Sequence, residues 1–214
     1  ASVLYNYDTT RKVTLRTMIE HSKSVRQGIK KSLMVVDMPY KTYRNKSEAL
    51  KNAKKIINLT KCDAVKLEGG FKIYKIIKYL TKNKINVMGH LGILPQSVRG
   101  KFKFKGKNEK EKNRLINEAK ILEKSGVFSI VLECIKSNTT NLITKTIKIP
   151  TIGIGSSLNC DGQVLVTDDL LGLNETKIKF VKKFINLKKI INFGIKKFTS
   201  DVKLKKYPSK KYSY

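Results

Sequence analysis

The sequence has few of the residues that hold disulfide-rich or zinc-binding proteins together. Its 214 residues include only three cysteines, Cys62, Cys134 and Cys160, which are too scattered for a CxxC pair or a disulfide framework. Scattered cysteines in odd number favour a reducing compartment, so we expect a cytoplasmic protein. Only two histidines are present. A histidine-rich zinc site is therefore not expected, whereas a hard-metal site made from carboxylates stays open.

Long apolar runs are also missing. The segment 127–132 is among the longest, and it is far shorter than the roughly 20 residues that a helix needs to cross a bilayer. No charged-then-apolar signal segment opens the chain, so we expect neither a membrane protein nor a secreted one. The hydrophobic content of 40% is enough for one well-packed domain. We interpret residues 1–214 as a single domain that ends in a basic tail at about 199–214.

Acidic residues are scarce, since 16 of them stand against 46 lysines and arginines, giving a formal net charge of +30. A basic surface attracts phosphate, so a basic nucleic-acid-binding protein is one alternative. However, 40 of these cations are lysine and only 6 are arginine, although two-point recognition of phosphates and bases favours the planar arginine. The lysines are also spread along the chain. We interpret the charge as the compositional drift of an AT-rich coding sequence.

Short β-rich runs alternate with longer helical patterns. The runs are largely apolar, as in parallel strands covered on both faces, and they lie at 33–36, 64–67, 85–88, 129–132, 151–154 and 164–166. Apolar residues recur at helical spacing within 13–29, 50–57 and 115–122, and again around Phe180, Phe184 and Ile190. This alternation predicts βαβ units and a parallel sheet, either in a barrel or in an open doubly wound form.

Charged side chains stand at the ends of several predicted strands. Asp37 follows the first one, Glu133 ends the most apolar one, and His90 follows another. Lys66 and Glu68 alternate about a leucine, so they should point to the same side of their strand. Any single carboxylate here could simply cap the next helix. Several of them at one sheet end favour a constructed site instead, and oxygen ligands of this kind suit Mg²⁺.

Three other segments contain patterns that occur in ligand-binding loops. The stretch 153–158 begins like a dinucleotide-binding fingerprint but has Leu158 in place of the last glycine, and 92–101 has the wrong spacing for a phosphate-binding Walker loop. The basic and aromatic stretch 99–107 is typical of a single-strand-binding surface, a plain loop or an active-site lid. We favour the loop or the lid.

Several motifs resemble, in order along the chain, the ketopantoate hydroxymethyltransferases. The resemblance runs from about Asp8 to the terminus. It is carried by Val-Val-Asp-Met-Pro-Tyr at 35–40, Val-Lys-Leu-Glu-Gly-Gly at 65–70, Gly-His-Leu-Gly-Ile-Leu-Pro-Gln-Ser at 89–97, Leu-Glu-Cys at 132–134, Ile-Gly-Ile-Gly at 152–155 and Cys-Asp-Gly-Gln-Val-Leu-Val at 160–166. A single match would be weak, but an ordered series is specific.

The resemblance implies a (β/α)₈ TIM barrel of the phosphoenolpyruvate/pyruvate type. It further implies transfer of a one-carbon unit from 5,10-methylenetetrahydrofolate to 3-methyl-2-oxobutanoate through a Mg²⁺-stabilised enolate, in a homo-oligomeric enzyme. By the same resemblance Asp37 binds metal and substrate, Glu68 belongs to the metal shell, and Lys66 contacts the substrate oxygens. Glu133 is the proton acceptor. His90 either contacts the substrate or only makes structural hydrogen bonds at the rim of the barrel.

The sequence also departs from the family. The family's Gly-Asp-Ser segment, which supplies a metal ligand and a substrate-binding hydroxyl, should lie immediately before Ala1, and Leu94 stands where a threonine is usual. A complete barrel usually needs about 250 residues. We therefore expect the first two βα units to be missing and this chain alone to be poorly active. An inactive partial gene product is the remaining alternative.

Overall fold

The structure is a computed structural model that describes residues 2–5, 7–97, 103–175 and 178–214. The chain divides into two compact units, Ala1–Val164 and Leu165–Tyr214. All the strands among the described residues lie in the first unit. The interpretation of the chain as a single domain stays a prediction.

The first unit is built on a parallel sheet of six strands in consecutive order. A doubly wound sheet reverses its strand order at a switch point, and no reversal occurs among the described strands. The consecutive order is that of barrel-type folds. The strands are β1 Val35–Asp37, β2 Ala64–Glu68, β3 Val87–Gly92, β4 Ser129–Glu133, β5 Thr151–Ile154 and β6 Gly162–Gln163.

Helices connect these strands, and polar side chains begin several of them. The Asn45 side chain accepts the Glu48 N–H at 2.9 Å, and Asn108 does the same for Glu111 at 2.9 Å, so two helix starts are capped. The helices of the first unit are α1 Ser2–Tyr5, α2 Leu15–Gly28, α3 Lys46–Thr60, α4 Tyr74–Lys82, α5 Glu109–Lys124 and α6 Ser137–Thr146, with a 3₁₀ turn at Thr10–Lys12.

One face of the sheet packs against these helices and forms the core. Side chains such as Val65, Leu67 and Ile130 are fully buried there against helix residues such as Ile77 and Leu122. Successive residues of a strand point to opposite faces. The residues between these apolar ones therefore lie on the other face, where the charged side chains are found.

The second unit contains α7 Thr167–Leu170, α8 Leu187–Lys203 and a 3₁₀ turn at Lys210–Tyr212. The predicted helix around Phe180, Phe184 and Ile190 begins later than expected, because both phenylalanines precede α8. The helix also extends past residue 199, where the tail was expected.

Five predicted strands are confirmed with shifts of a few residues at their ends, and helix 13–29 is confirmed as α2. The sixth strand is wrong as placed at 164–166, because β6 lies at Gly162–Gln163. Val164 and Val166 are each about half exposed, so their apolar character does not reflect burial in the sheet. Two further units before Ala1 stay a prediction.

Candidate functional site

Four consecutive strands each contribute a charged or ionisable side chain to one end of the sheet. Asp37 ends β1, Lys66 and Glu68 belong to β2, His90 lies in β3 and Glu133 ends β4. The register aligns Asp37 with Lys66, Glu68 with His90, and Gly92 with Glu133. Since parallel strands run in the same direction, their carboxyl ends meet at one edge. The predicted clustering is therefore present.

Lys66 links two of these neighbours. Its Nζ lies 3.1 Å from Asp37 Oδ1 and 3.3 Å from His90 Nδ1. An ammonium group can only donate, so Nδ1 of His90 must accept and the ring proton must lie on Nε2. His90 Nε2 in turn lies 3.1 Å from Glu133 Oε2. The four side chains form one connected series across β1 to β4.

His90 is the most enclosed member of this series, with a side chain only 2% exposed. Burial lowers the pKa of His90, and the neighbouring Glu133 carboxylate opposes that shift only in part. The imidazole is therefore neutral near pH 7. Although Glu133 is close, the ring N–H is not aligned with its carboxylate, and Nε2 has no hydrogen-bond partner within the described residues. A buried donor of this kind needs a partner.

Glu68 is a buried carboxylate that few hydrogen bonds or charges stabilise. Its Oε2 accepts the backbone N–H of Gln96 at 3.0 Å. Burial raises the pKa of Glu68 to about 7, although the Gln96 hydrogen bond and the Lys66 charge act in the opposite direction. A desolvated carboxylate is costly unless a cation or several donors stabilise it.

Gln96 holds the surrounding loop in place. Its side-chain amide donates to the Met38 carbonyl at 2.9 Å and accepts from the Tyr43 hydroxyl at 3.0 Å. Its own carbonyl accepts from Arg11 Nε at 2.8 Å. Gln96 lies within the motif at 89–97, but its partners are distant along the chain, so the sequence gives no sign of this role.

A cavity of about 250 Å³ lies over this end of the sheet. The five predicted side chains all line it. Asp37 is 46% exposed there, so its carboxylate is accessible to a ligand. The rest of the wall consists of Thr10, Val13, Met18, Pro39, Pro95 and Gln96, of which the first three precede β1 and were not predicted.

The donor set fits a hard divalent cation. Asp37 offers an accessible carboxylate, and the buried Glu68 carboxylate lacks a close cationic partner among the described residues. Mg²⁺ commonly binds one or two carboxylates and fills its other positions with water or substrate oxygens. Within the described part of the chain, no group of three or more His, Cys, Asp or Glu side chains forms a ready-made cage. A site completed by substrate is consistent with both observations.

One other predicted segment is placed only in part. The loop 99–107 lies partly outside the described residues, since 98–102 are not among them. Its later part is anchored, because Lys105 donates its N–H to the Cys134 carbonyl at 2.9 Å. Burial raises the pKa of the Cys134 thiol to about 11, so this residue is a poor nucleophile.

In the part of the chain that the structure describes, no helix is both long enough and apolar enough to span a membrane.

Comparison with protein families finds a match to the model of ketopantoate hydroxymethyltransferase over residues 1–210. The chain is 63% identical over 213 residues to a 3-methyl-2-oxobutanoate hydroxymethyltransferase of Pelagibacter ubique, covering 100% of this chain and 82% of that protein. It is 44% identical to an enzyme of the same name from Clostridium botulinum, covering 99% and 78%.

Solved structures resemble the fold at low sequence identity. A phosphonopyruvate hydrolase complexed with oxalate and Mg²⁺ matches with a TM-score of 0.54 and 10% identity, over 72% of this chain and 56% of that one. A 2,3-dimethylmalate lyase, described as a member of the PEP mutase/isocitrate lyase superfamily, matches with a TM-score of 0.53 over 72% and 55%. This chain thus spans a little over half the length of those structures. With the consecutive parallel sheet, these matches show an α/β TIM-barrel-like fold.

Proposed function

The chain belongs to the ketopantoate hydroxymethyltransferase family, and we propose that its 250 Å³ cavity converts 3-methyl-2-oxobutanoate to 2-dehydropantoate with 5,10-methylenetetrahydrofolate as one-carbon donor. The protein is a hydroxymethyltransferase enzyme of pantothenate biosynthesis. The observation that carries the proposal is the connected series Asp37–Lys66–His90–Glu133, which lines that cavity.

The reaction requires a proton acceptor and a stabilised negative charge. The C–H bond beside the 2-oxo group breaks, and that carbon forms a new C–C bond to the one-carbon unit. Both C–N bonds that hold this unit to the folate break. Water supplies the hydroxyl oxygen and the two protons that the folate nitrogens take up, and the proton removed from carbon ends on the new hydroxyl.

Asp37 and Glu68 would hold the metal ion and Lys66 the substrate oxygens. Bound Mg²⁺ would supply Lewis-acid chemistry at the 2-oxo carbonyl. An ammonium group has three donors, and Lys66 directs two of them at Asp37 and His90. The third is free to contact the oxygen that becomes negative as the enolate forms, which is where preorganised charge lowers the barrier most.

Glu133 would take the proton from the substrate carbon. It lines the cavity and lies beside the neutral His90 ring. The Nε2 atom of His90 lies 3.1 Å from Oε2 of Glu133 without a hydrogen bond to it. Because His90 is neutral, it does not compete with Glu133 for the proton.

The cellular compartment is inferred from the cysteines. The three cysteines are free thiols, which supports a reducing compartment such as the cytoplasm. A homo-oligomer stays a proposal from the family resemblance. The nucleic-acid-binding alternative has no support from the comparisons, despite the net charge of +30.

The assay is formation of 2-dehydropantoate from the two substrates, detected by mass spectrometry, with and without Mg²⁺. Asp37→Ala should abolish Mg²⁺-dependent binding of 3-methyl-2-oxobutanoate in calorimetry, because it removes the accessible carboxylate. Asp8→Ala is the matched control, since Asp8 is exposed and pairs only with Lys12 in the described structure. An unaltered titration for Asp37→Ala would count against the metal role. Absence of both product formation and Mg²⁺-dependent binding of 3-methyl-2-oxobutanoate in the wild type would remove the function.

A further inference from the structure

The wall of the 250 Å³ cavity includes a turn that the core of the protein does not hold. Thr10 belongs to the 3₁₀ turn Thr10–Lys12, Val13 follows it directly, and both line the cavity. None of the three residues of this turn is buried. The helix that follows is different, because Ile19 of α2 is only 3% exposed and belongs to the core. Packing therefore fixes α2 and leaves this part of the cavity wall to other contacts.

Arg11, at the centre of the turn, supplies such contacts. Its Nε donates to the backbone carbonyl of Gln96 at 2.8 Å, and its guanidinium carbon lies 4.5 Å from the centre of the Tyr40 ring. Lys12, by contrast, pairs only with its close neighbours along the chain, such as Asp8 at 2.9 Å. Among the described residues, the hydrogen bonds, ion pairs and cation–π contacts that join the turn to a distant part of the chain all come from Arg11.

An arginine is suited to making both contacts at once. Its planar guanidinium can lie over an aromatic ring while an N–H in the same plane donates to a carbonyl. Arg11 forms no ion pair with a carboxylate in the described part of the chain, so no such pair competes with these contacts. A lysine ammonium has the charge but not the planar face, so it could not reproduce the pair of contacts.

Through these contacts Arg11 joins two parts of the cavity lining. Its acceptor, Gln96, lines the cavity beside Pro95, and the turn that Arg11 belongs to contributes Thr10 and leads into Val13. Arg11 and Gln96 are 85 positions apart in the sequence. The link therefore ties the segment before α2 to the loop after β3, and the two segments form the cavity wall together.

We propose that Arg11 is a positioning residue: by joining the Thr10–Lys12 turn to Gln96, it holds this part of the wall in the form that binds the oxo acid. Without the link, the turn would become ordered only when substrate binds, and the cost of that ordering would weaken binding. The charged side chains that act on the substrate stand on paired strands, so the chemical step does not depend on the link. The inference rests on the proposed function for the identity of the substrate, and it adds a residue outside the catalytic series.

Arg11→Ala tests the link by calorimetric titration with 3-methyl-2-oxobutanoate in the presence of Mg²⁺, and by turnover. We expect the Kd and the KM for the oxo acid to rise about 10-fold, equivalent to about 1.4 kcal/mol, while kcat stays within about 2-fold of the wild type. Arg11→Lys should lie between the wild type and Arg11→Ala, because it keeps the charge and loses the planar donor. A purely structural role would instead reduce the amount of active protein, which lowers the apparent kcat and leaves KM unchanged.

Chemical rescue separates the loss of the guanidinium group from a loss of folding. Ethylguanidinium has the atoms that Arg11→Ala removes, so its addition at millimolar concentration should restore part of the lost affinity. Ethylammonium, a cation without the planar group, should restore less. Arg16→Ala is the matched control, because Arg16 is an exposed arginine of α2 that does not line the cavity. It should leave Kd and KM unchanged.

Amide hydrogen exchange in the free protein tests the link without any ligand. The Val13 N–H donates to the Thr10 carbonyl at 3.2 Å, so it should exchange faster in Arg11→Ala than in the wild type. Unchanged exchange at Val13 would overturn the inference, and so would an unchanged Kd, a fall in kcat at constant KM, or equal rescue by ethylammonium. A wild type that neither makes product nor binds the oxo acid with Mg²⁺ would remove the proposed function and the substrate named here, whereas the exchange at Val13 would still decide whether Arg11 holds the turn.

Discussion

Glu133 is the residue whose chemistry is easiest to isolate, because glutamine has nearly the same shape and cannot accept the proton. General-base contributions are typically about 10²- to 10⁴-fold in rate. Glu133→Gln should therefore lower kcat by about that factor while 3-methyl-2-oxobutanoate still binds in the presence of Mg²⁺. Steady-state turnover and calorimetric binding measure the two effects separately.

Glu109→Gln is the companion variant, since Glu109 is an exposed carboxylate at the start of α5. Its turnover should equal that of the wild type. Full turnover in Glu133→Gln would remove Glu133 from the role of base. A parallel loss of oxo-acid binding would show instead that the substitution disturbs the pocket.

At the residue scale, the sequence predicted that these charged side chains lie together, and it missed the residue that supports them. Asp37, Glu68 and Glu133 are visible because each follows or ends an apolar strand, and Lys66 is visible because it alternates with Glu68 about a leucine. Gln96 has no such signal, because its contacts to Glu68, Met38 and Tyr43 join residues that are 28 to 58 positions apart in the sequence. No local pattern in a sequence encodes hydrogen bonds over that separation.

The junction of β3 and β4 depends on a glycine. Gly92 has a φ of +101°, and a Cβ at this position would overlap the carbonyl oxygen of Glu133. Gly92→Ala should therefore push β3 away from β4 beside the proposed base. We expect a loss of unfolding free energy of about 1–3 kcal/mol, together with lower turnover. Urea unfolding and the product assay measure the two.

Gly28→Ala provides the comparison, because a Cβ there would meet no atom within 4 Å. It should be neutral or stabilise by less than about 1 kcal/mol. Equal stability of the Gly92→Ala and Gly28→Ala proteins would contradict the steric argument for Gly92.

The start of β5 is tied to the turn before β6 by Asp161. Its carboxylate accepts the backbone N–H of Thr151 at 2.8 Å and the Thr151 hydroxyl at 2.9 Å. These hydrogen bonds lower the pKa of Asp161 below its ordinary value. The unfolded chain therefore binds the proton more readily, so this contribution is present above the unfolded pKa and is lost as pH falls through the folded one.

Asp161→Asn should lower the unfolding free energy at pH 7 by about 0.5–1 kcal/mol, a small value because the group is exposed and screened by solvent. The difference from the wild type should shrink as pH falls below about 4, the ordinary pKa of an aspartate, because the unfolded wild-type chain then takes up a proton more readily than the folded one. Urea unfolding at pH 7 and pH 3 measures it. A difference that is the same at both values would contradict a charge-dependent contribution.

At the element scale, the strands that the sequence predicted most closely are those whose side chains are buried. Strands β2, β4 and β5 were placed closely because their apolar residues are buried in the core. The short β6 was misplaced because Gly162 and Gln163 carry no apolar signal, whereas the half-exposed valines after it do. Hydrophobicity predicts an element only where the element is buried.

For the whole first unit, the sequence left a barrel and an open doubly wound sheet as alternatives. Both have alternating strands and helices, and both place their polar residues at the carboxyl ends of the strands. The deciding property is the order in which strands pair, which depends on contacts between separate βα units. The consecutive order from β1 to β6 settled it.

That order also ties the site to folding. Asp37, Lys66, His90 and Glu133 come from four successive strands, and β1 is only three residues long at the edge of the described sheet. A ligand that contacts all four favours the state in which these strands are paired, as any ligand specific for the native state does. Bound substrate and metal would therefore stabilise the pairing of β1 with the rest of the sheet. Amide hydrogen exchange along β1 should then be slower in the bound protein than in the free one.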